Sequence, residues 1–450
     1  MSRLRGGESV YSFEGSLISR SLPIDPPSFL SVIRSSDTPR TVWSTPEQAS
    51  ETGGTTVVGN GAAAVLRADG SDRFMTIRER ATDLFTNSDV DTDAEAARPR
   101  LFGGFAFHDD HASRAPWSGF PGAQFVLPRI QITWKDDRAW LTVNTVGESQ
   151  RGIEEYLTDA TQWLSSLSTS GENSDPPGIA DRERATDRDD WRAAVEASVE
   201  QIRVGALRKV VLAQALRATL ADELSVPDTL ARLRETYPDC FGFLIDALDG
   251  AHFLGATPER LVSLRGRTVE TGALAGTTGR GDTPEEDEWL ARELLSSEKD
   301  NHEHDLVVEA IREQLEPLST TITTDERRIR RLATVQHLET PLSAELTRDE
   351  HILSLVEALH PTPAVGGLPP DRALATIRTT EPFERGWYAA PVGWFDADGN
   401  GTFAVALRSA VTARDVVTLF AGVGIVADSD PDREWDEVQL KYRPVLDALE

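Results

Sequence analysis

Apolar and polar positions follow two different periods along this chain. Short apolar runs predict strands at Phe102–Phe107 and Phe125–Ile132, then at 241–247, 252–256, 260–264, 391–395, 402–407 and 416–420. Trp191, Val195, Val199 and Ile202 instead fall at helical spacing behind Asp189, which is placed to cap that helix. The same period predicts helices over 284–315, broken near 298, and over 431–449. Strands arrive in pairs divided by turns such as DADGNG at 396–401, which favours antiparallel hairpins over regular βαβ alternation. Residues 166–188 are polar, rich in Ser, Pro and Gly and poor in large apolar side chains, so they read as a linker or long surface loop.

One predicted strand carries a charge where none belongs. In LRKVVLA at 207–213, Lys209 shares a face with Val211 and Ala213 while Val210 and Leu212 take the other, so both faces read as buried. Such a lysine either snorkels to water at the strand end or is a desolvated amine that can lose its proton and act as a base. Composition favours the second reading, because only four of the 46 basic residues are lysines, at 135, 209, 299 and 441. A chain that otherwise uses arginine for positive charge has kept lysine where arginine, which holds its proton, cannot substitute.

A length of 450 residues allows one large domain or two to three average ones. The net charge of −28 argues against nucleic acid or anionic membrane as partner. An acidic surface with almost no lysine points to adaptation to high salt, where screening relieves self-repulsion. The single cysteine, Cys240, rules out an internal disulfide and a cysteine zinc site. With neither an apolar leader nor a run near 20 apolar residues, the chain is expected in the cytoplasm.

Glu259 follows Thr257-Pro258 where a strand should emerge into a turn; it reads either as a carboxylate paired with Arg260 or as the acid of an acid/base pair with a lysine. The segment 273–281, ALAGTTGRG, reads as a glycine-rich loop that fits neither phosphate-binding motif but can offer backbone NH groups to a small carboxylate. In KDNHEHD at 299–305 the two histidines lie two apart and cannot share an ion, whereas Glu303 sits on the apolar face of Leu306, Val307, Ala310 and Ile311. A buried carboxylate there needs a compensating charge, which a hard cation such as Mg²⁺ supplies. Glu434, Glu437 and Lys441 share one side of the last helix, an ordinary surface arrangement except that it spends a scarce lysine. His337 and His360 each stand alone beside apolar residues and read as structural.

Taken together, KVVLA at 209–213, TPER at 257–260, ALAGT at 273–277, SSEKDNHEHDLVV at 296–308 and HPTPAVGG at 360–367 resemble the chorismate-utilising enzymes. ERGWYAAPVGW at 384–394, FAVALRSA at 403–410, AGVGIV at 421–426 and SDPDREWDE at 429–437 continue the likeness. The family includes isochorismate synthase, salicylate synthase and the synthase components that make anthranilate and aminodeoxychorismate. Weaker similarity to menaquinone-pathway members reaches back to FGGFAF and FVLPR, so most of the chain is covered.

The resemblance implies a single α/β domain of the α+β type, with large antiparallel β-sheets wrapped by helices. Residues 1–180 would be a variable portion of that fold and 185–450 the catalytic region. It assigns Lys209 as the base that activates water for attack at C2 of chorismate and Glu259 as the acid that protonates the leaving C4 hydroxyl. Glu303 and Glu437, with Glu434 close by, would hold Mg²⁺. Arg408 and Lys441 would grip substrate carboxylates, His337 and Ala364 would line the site, and backbone at Gly276, Thr277 and Gly424 would complete it.

Within the family, Ala275 replaces the nucleophilic lysine of aminodeoxychorismate synthases, and anthranilate synthases need no base at 209. Ala364 stands where salicylate synthases carry a polar residue, so the resemblance implies Mg²⁺-dependent conversion of chorismate to isochorismate, for menaquinone, without an obligatory protein partner. Salicylate synthase is the alternative within the family. An alternative of a different class is a non-catalytic chorismate-binding subunit, paired with an amidotransferase, motivated by three departures: Gln214 for arginine, Gly272 for glutamate and Phe420 for tyrosine.

Overall fold

The computed structural model describes residues 15–46, 54–92, 94–168 and 173–450. Among these, every strand joins one hydrogen-bonded sheet network, antiparallel throughout except where Leu17–Ile24 runs parallel to Asp89–Asp91. Pairs between the two halves of the chain are frequent: Thr41–Ser44 with Phe241–Asp246, and Leu101–Phe105 with Pro391–Phe395. Helices pack on the network, which makes the fold mixed α/β with antiparallel sheet, as expected.

Six elements build most of the site. Strand Lys209–Leu220 pairs with Val416–Ile425, setting Val211 opposite Gly424 and Ala213 opposite Gly422. Strand Thr268–Gly279 pairs with Val335–Leu346, and a bulge after Ala275 brings Thr277 opposite His337. Gly276 occupies that bulge at φ +81, a conformation that favours glycine. The fifth element is helix Glu298–Leu315, which packs on Thr268–Gly279.

The predicted helical break falls at Ser297, which ends helix Pro284–Ser296 and caps Glu298–Leu315 by accepting from Asp300 N. A last helix, Pro431–Leu446, packs on Val416–Ile425; Asp430 caps it by accepting from Asp432 N and Arg433 N, with proline at the first helical position.

Three expectations are corrected. Residues 179–184, within the expected loop, form a strand on the edge of Lys209–Leu220. Its mostly exposed side chains leave no apolar alternation to read, because apart from Ile179 the strand joins the sheet through its backbone. The helix predicted behind Asp189 is Arg188–Arg203, capped by Asp187, whose carboxylate accepts from Asp189 N and Asp190 N. Residues 273–279 of the glycine-rich segment are strand rather than loop, since its alternate side chains, Ala273 and Ala275, are buried.

Candidate active site

The pocket formed where these elements meet contains nearly all the residues singled out above. Its lining includes Glu259, Gly276, Thr277, Glu303, His337, Ala364, Arg408, Gly424, Glu434, Glu437 and Lys441. Lys209 lies just beneath the wall, 1% exposed. Its Nζ is 2.9 Å from Glu303 Oε1. Gly424 makes that pair possible: a Cβ there would stand 2.2 Å from Glu303 Oε1 and 2.8 Å from Lys209 Cε.

Two further ion pairs close the same wall. Lys299 Nζ lies 2.8 Å from Glu434 Oε1, and Lys441 Nζ lies 2.8 Å from Glu437 Oε1 while donating to Gly422 O. Burial alone would push the Glu303 carboxyl up, but Lys209, with Lys299 and Lys441, holds it below its ordinary value. Burial raises Glu434 against the pull of Lys299, and the charge of Glu437 adds to the rise. Asp300 is likewise raised, first by burial and then by the charges of Glu303 and Glu437. Free space within the pocket is about 80 Å³. That is small beside the roughly 300–1,000 Å³ of small-molecule sites, and members of the three ion pairs line the space.

Glu259 takes the opposite course to Glu303. It is 6% exposed, and burial pushes its carboxyl up to about 7 although Lys209, Lys441 and Arg330 pull the other way. Arg260, the partner considered from sequence, pairs with Glu270 instead. Glu259 therefore has the ionisation of a proton donor at neutral pH.

The third group handles anions. Arg408, at φ +48 in the connection between strands Gly401–Val405 and Ser409–Ala413, donates from Nη2 to His337 Nε2 at 2.8 Å. A guanidinium only donates, so His337 Nε2 accepts and Nδ1 carries the proton toward Thr277 Oγ1, 3.1 Å away. Burial first, and Arg408 second, hold His337 well below its ordinary pKa, which keeps the ring neutral. Arg408 Nη1 is buried and makes no hydrogen bond to an oxygen or ring nitrogen, although the Cys240 thiol lies near enough to act on the guanidinium. A buried guanidinium edge with a spare donor suits a carboxylate ligand.

Oxygen donors are the metal-binding chemistry on offer. Glu303, Glu434 and Glu437 supply hard ligands of the kind Mg²⁺ prefers, and a cation would relieve the negative charge of Glu437 that adds to the rise of Glu434 and Asp300. Each is turned toward a lysine, however, and among the described residues no three acidic, histidine or cysteine side chains stand close enough to hold an ion. His304 is excluded as a ligand: its ring contacts Ala275 O and Thr340 Oγ1.

Sequence reasoning missed several lining residues. Lys299 had no assigned role, yet it faces Glu434, and its scarcity was the available signal. Tyr388, Asp300 and Arg385 also line the pocket. Arg385 donates to Val365 O and Val211 O and pairs with Glu381, which in turn accepts from Ala213 N. His360, as expected, is structural, with Nε2 against Phe107 O. Of the three departures, Phe420 is packed between Trp117 and Tyr388, Gln214 is buried with no protein partner for its amide, and Gly272 lies outside the pocket.

Residues 13–450 match the family described as chorismate binding enzyme. The chain belongs to that family. It is 38% identical to the salicylate biosynthesis isochorismate synthase of Pseudomonas aeruginosa over 440 residues, which span 96% of this chain and 90% of that protein. It is 34% identical to the isochorismate synthase MenF of Bacillus subtilis over 418 residues, 91% of this chain and 88% of that protein. Among solved structures, MenF of Escherichia coli, a menaquinone-specific isochorismate synthase, superposes with a TM-score of 0.79 at 26% identity, covering 98% of this chain and 97% of that one. Anthranilate synthase component I of Streptococcus pneumoniae shares the fold at a TM-score of 0.72 and 20% identity.

Proposed function

We propose that this chain is an isochorismate synthase that adds water at C2 of chorismate and expels the C4 hydroxyl. The observation that carries the reading is Glu259, a carboxyl with a pKa of about 7, in the pocket that Lys209 underlies. Identity to isochorismate synthases over nearly the whole chain supports the same substrate and product.

Lys209 takes a proton from water as its oxygen bonds to C2. Both conjugated ring double bonds shift, C1=C2 to C1=C6 and C5=C6 to C4=C5, the C4–O bond breaks, and Glu259 gives its proton to the departing hydroxyl, which leaves as water. Lys209 then loses and Glu259 regains a proton. The amine can act only once its pair with Glu303 opens. Arg408 Nη1 and Lys441 receive substrate carboxylates, and the neutral His337, fixed by Arg408 and Thr277, shapes the wall beside them. Glu303 and Glu437, with Glu434, would hold Mg²⁺, which when bound neutralises the ring carboxylate.

Supply to menaquinone is favoured by the similarity to MenF, whereas the Pseudomonas relative is named for salicylate biosynthesis. The pocket chemistry is the same for either use. Incubating the purified chain with chorismate, with Mg²⁺ and after chelation, and separating products tests the reading. Isochorismate formed only with the metal is expected. Pyruvate and salicylate as early products would replace the proposal with a salicylate synthase, and no turnover would favour a binding subunit.

A further inference from the structure

Glu259 is a partition between two spaces. One side faces the pocket; the other faces a separate groove of about 580 Å³, which it shares with Pro258, Gly272, Glu339 and Arg330. We propose that Arg330, which lies outside the substrate pocket, is the positioning residue for the acid Glu259. This rests on Glu259 being the proton donor.

The geometry is a clamp. Arg330, on strand Arg328–Arg331, donates from Nη1 to Pro258 O at 2.9 Å and to Glu339 Oε1 at 3.1 Å, and from Nη2 to Asp239 O at 2.9 Å. Pro258 has no NH, so its carbonyl is the one backbone hydrogen-bonding group it offers, and it immediately precedes the acid. One guanidinium thus ties the Glu259 turn to the segment before strand Phe241–Asp246 and to strand Val335–Leu346. The remaining backbone anchors of the turn are Glu259 N to Thr257 Oγ1 at 3.3 Å and Val405 N to Glu259 O at 3.0 Å. Neither constrains Pro258 from the groove side.

Arg330 also contributes charge. Lys209 and Lys441 face Glu259 from strand Lys209–Leu220 and the last helix, and Arg330 from strand Arg328–Arg331. Tyr388 and His337 line the same pocket, and Arg260 is compensated by Glu270. Replacing Arg330 leaves all of these in place. Loss of its positive charge makes Glu259 easier to protonate, so the alkaline limb of the rate profile moves to higher pH. An arginine that served only its ion pair with Glu339 would change stability and leave that limb where it is.

The test compares Arg330→Gln, Arg330→Lys and Glu259→Gln in the full chain with chorismate and Mg²⁺. Arg330→Gln is expected to lower kcat about 10- to 100-fold, the scale of a slightly misplaced catalytic group, with KM little changed and the alkaline limb of kcat/KM moved upward. Arg330→Lys keeps the limb in place and loses part of kcat, because an ammonium lacks the fork that spans both carbonyls. Wild-type kcat in Arg330→Gln, or an unmoved limb in a folded variant, overturns the proposal. If Arg330→Gln does not fold, Arg330→Lys carries the test, and wild-type kcat there overturns it. Activity retained in Glu259→Gln defeats the acid reading itself; activity lost there, with the Arg330→Gln limb unmoved, defeats only the role of Arg330.

Discussion

A carboxyl that feels Lys209, Lys441 and Arg330 would ordinarily be ionised far below neutrality, yet Glu259 sits near 7 because burial outweighs all three. Glu303, in the same pocket, goes the other way because Lys209 touches it directly. Two carboxyl groups that share the influence of one lysine are thereby split into a proton donor and an anion, so one site holds an acid and a carboxylate ligand at one pH. A proton donor must be protonated to act, so kcat/KM, which reports the free enzyme, should fall as pH rises through about 7. Glu259→Gln should remove that limb and, like Lys209→Ala, cost about 10² to 10⁴-fold in rate. A pH profile of kcat/KM for wild type and Glu259→Gln checks it; an alkaline limb that survives in the variant would assign it to another group.

At the scale of elements, the site depends on where two antiparallel pairs set their side chains. Val211 faces Gly424 across one pair, so the absence of a side chain at 424 lets Glu303 and Lys209 meet against bare backbone. Gly424→Ala should displace that ion pair, since its Cβ would fall 2.2 Å from Glu303 Oε1. We expect loss of most activity and of Mg²⁺ affinity with the fold intact by circular dichroism; normal kinetics in Gly424→Ala would show that the wall yields. The motif carried Gly424 in the sequence, but nothing there said what the glycine made room for. The same contrast runs through the chain. Lys209, Glu303 and the break at Ser297 were legible because an apolar period makes an internal charge or a cap conspicuous. Gly276 was misread as loop because a bulge within a strand has the composition of a turn, and Arg330 was unread because its role lies in carbonyls brought from distant segments. Long-range geometry of that kind leaves no local pattern.

For the whole molecule the governing quantity is a net charge of −28, from 74 acidic against 46 basic side chains. Many arginines already sit in exposed ion pairs, such as Arg151 with Glu155 and Arg188 with Asp432. Pairs of that kind are worth only about 0–1 kcal/mol each, so they do not offset the repulsion among the remaining acids. Salt acts on attraction and repulsion with opposite consequences: it weakens the pairs slightly and shortens the reach of the repulsion from about 10 Å at 0.1 M to about 3 Å at 1 M. Repulsion outweighs pairing in so acidic a chain, so folding should be favoured as salt rises. Thermal unfolding followed in KCl from about 0.1 to 1 M, with chelator present to exclude divalent binding, should give a Tm that climbs throughout. A Tm that stays flat or falls would mean that the ion pairs already balance the surface, and the acidic composition would then have to be explained by solubility alone.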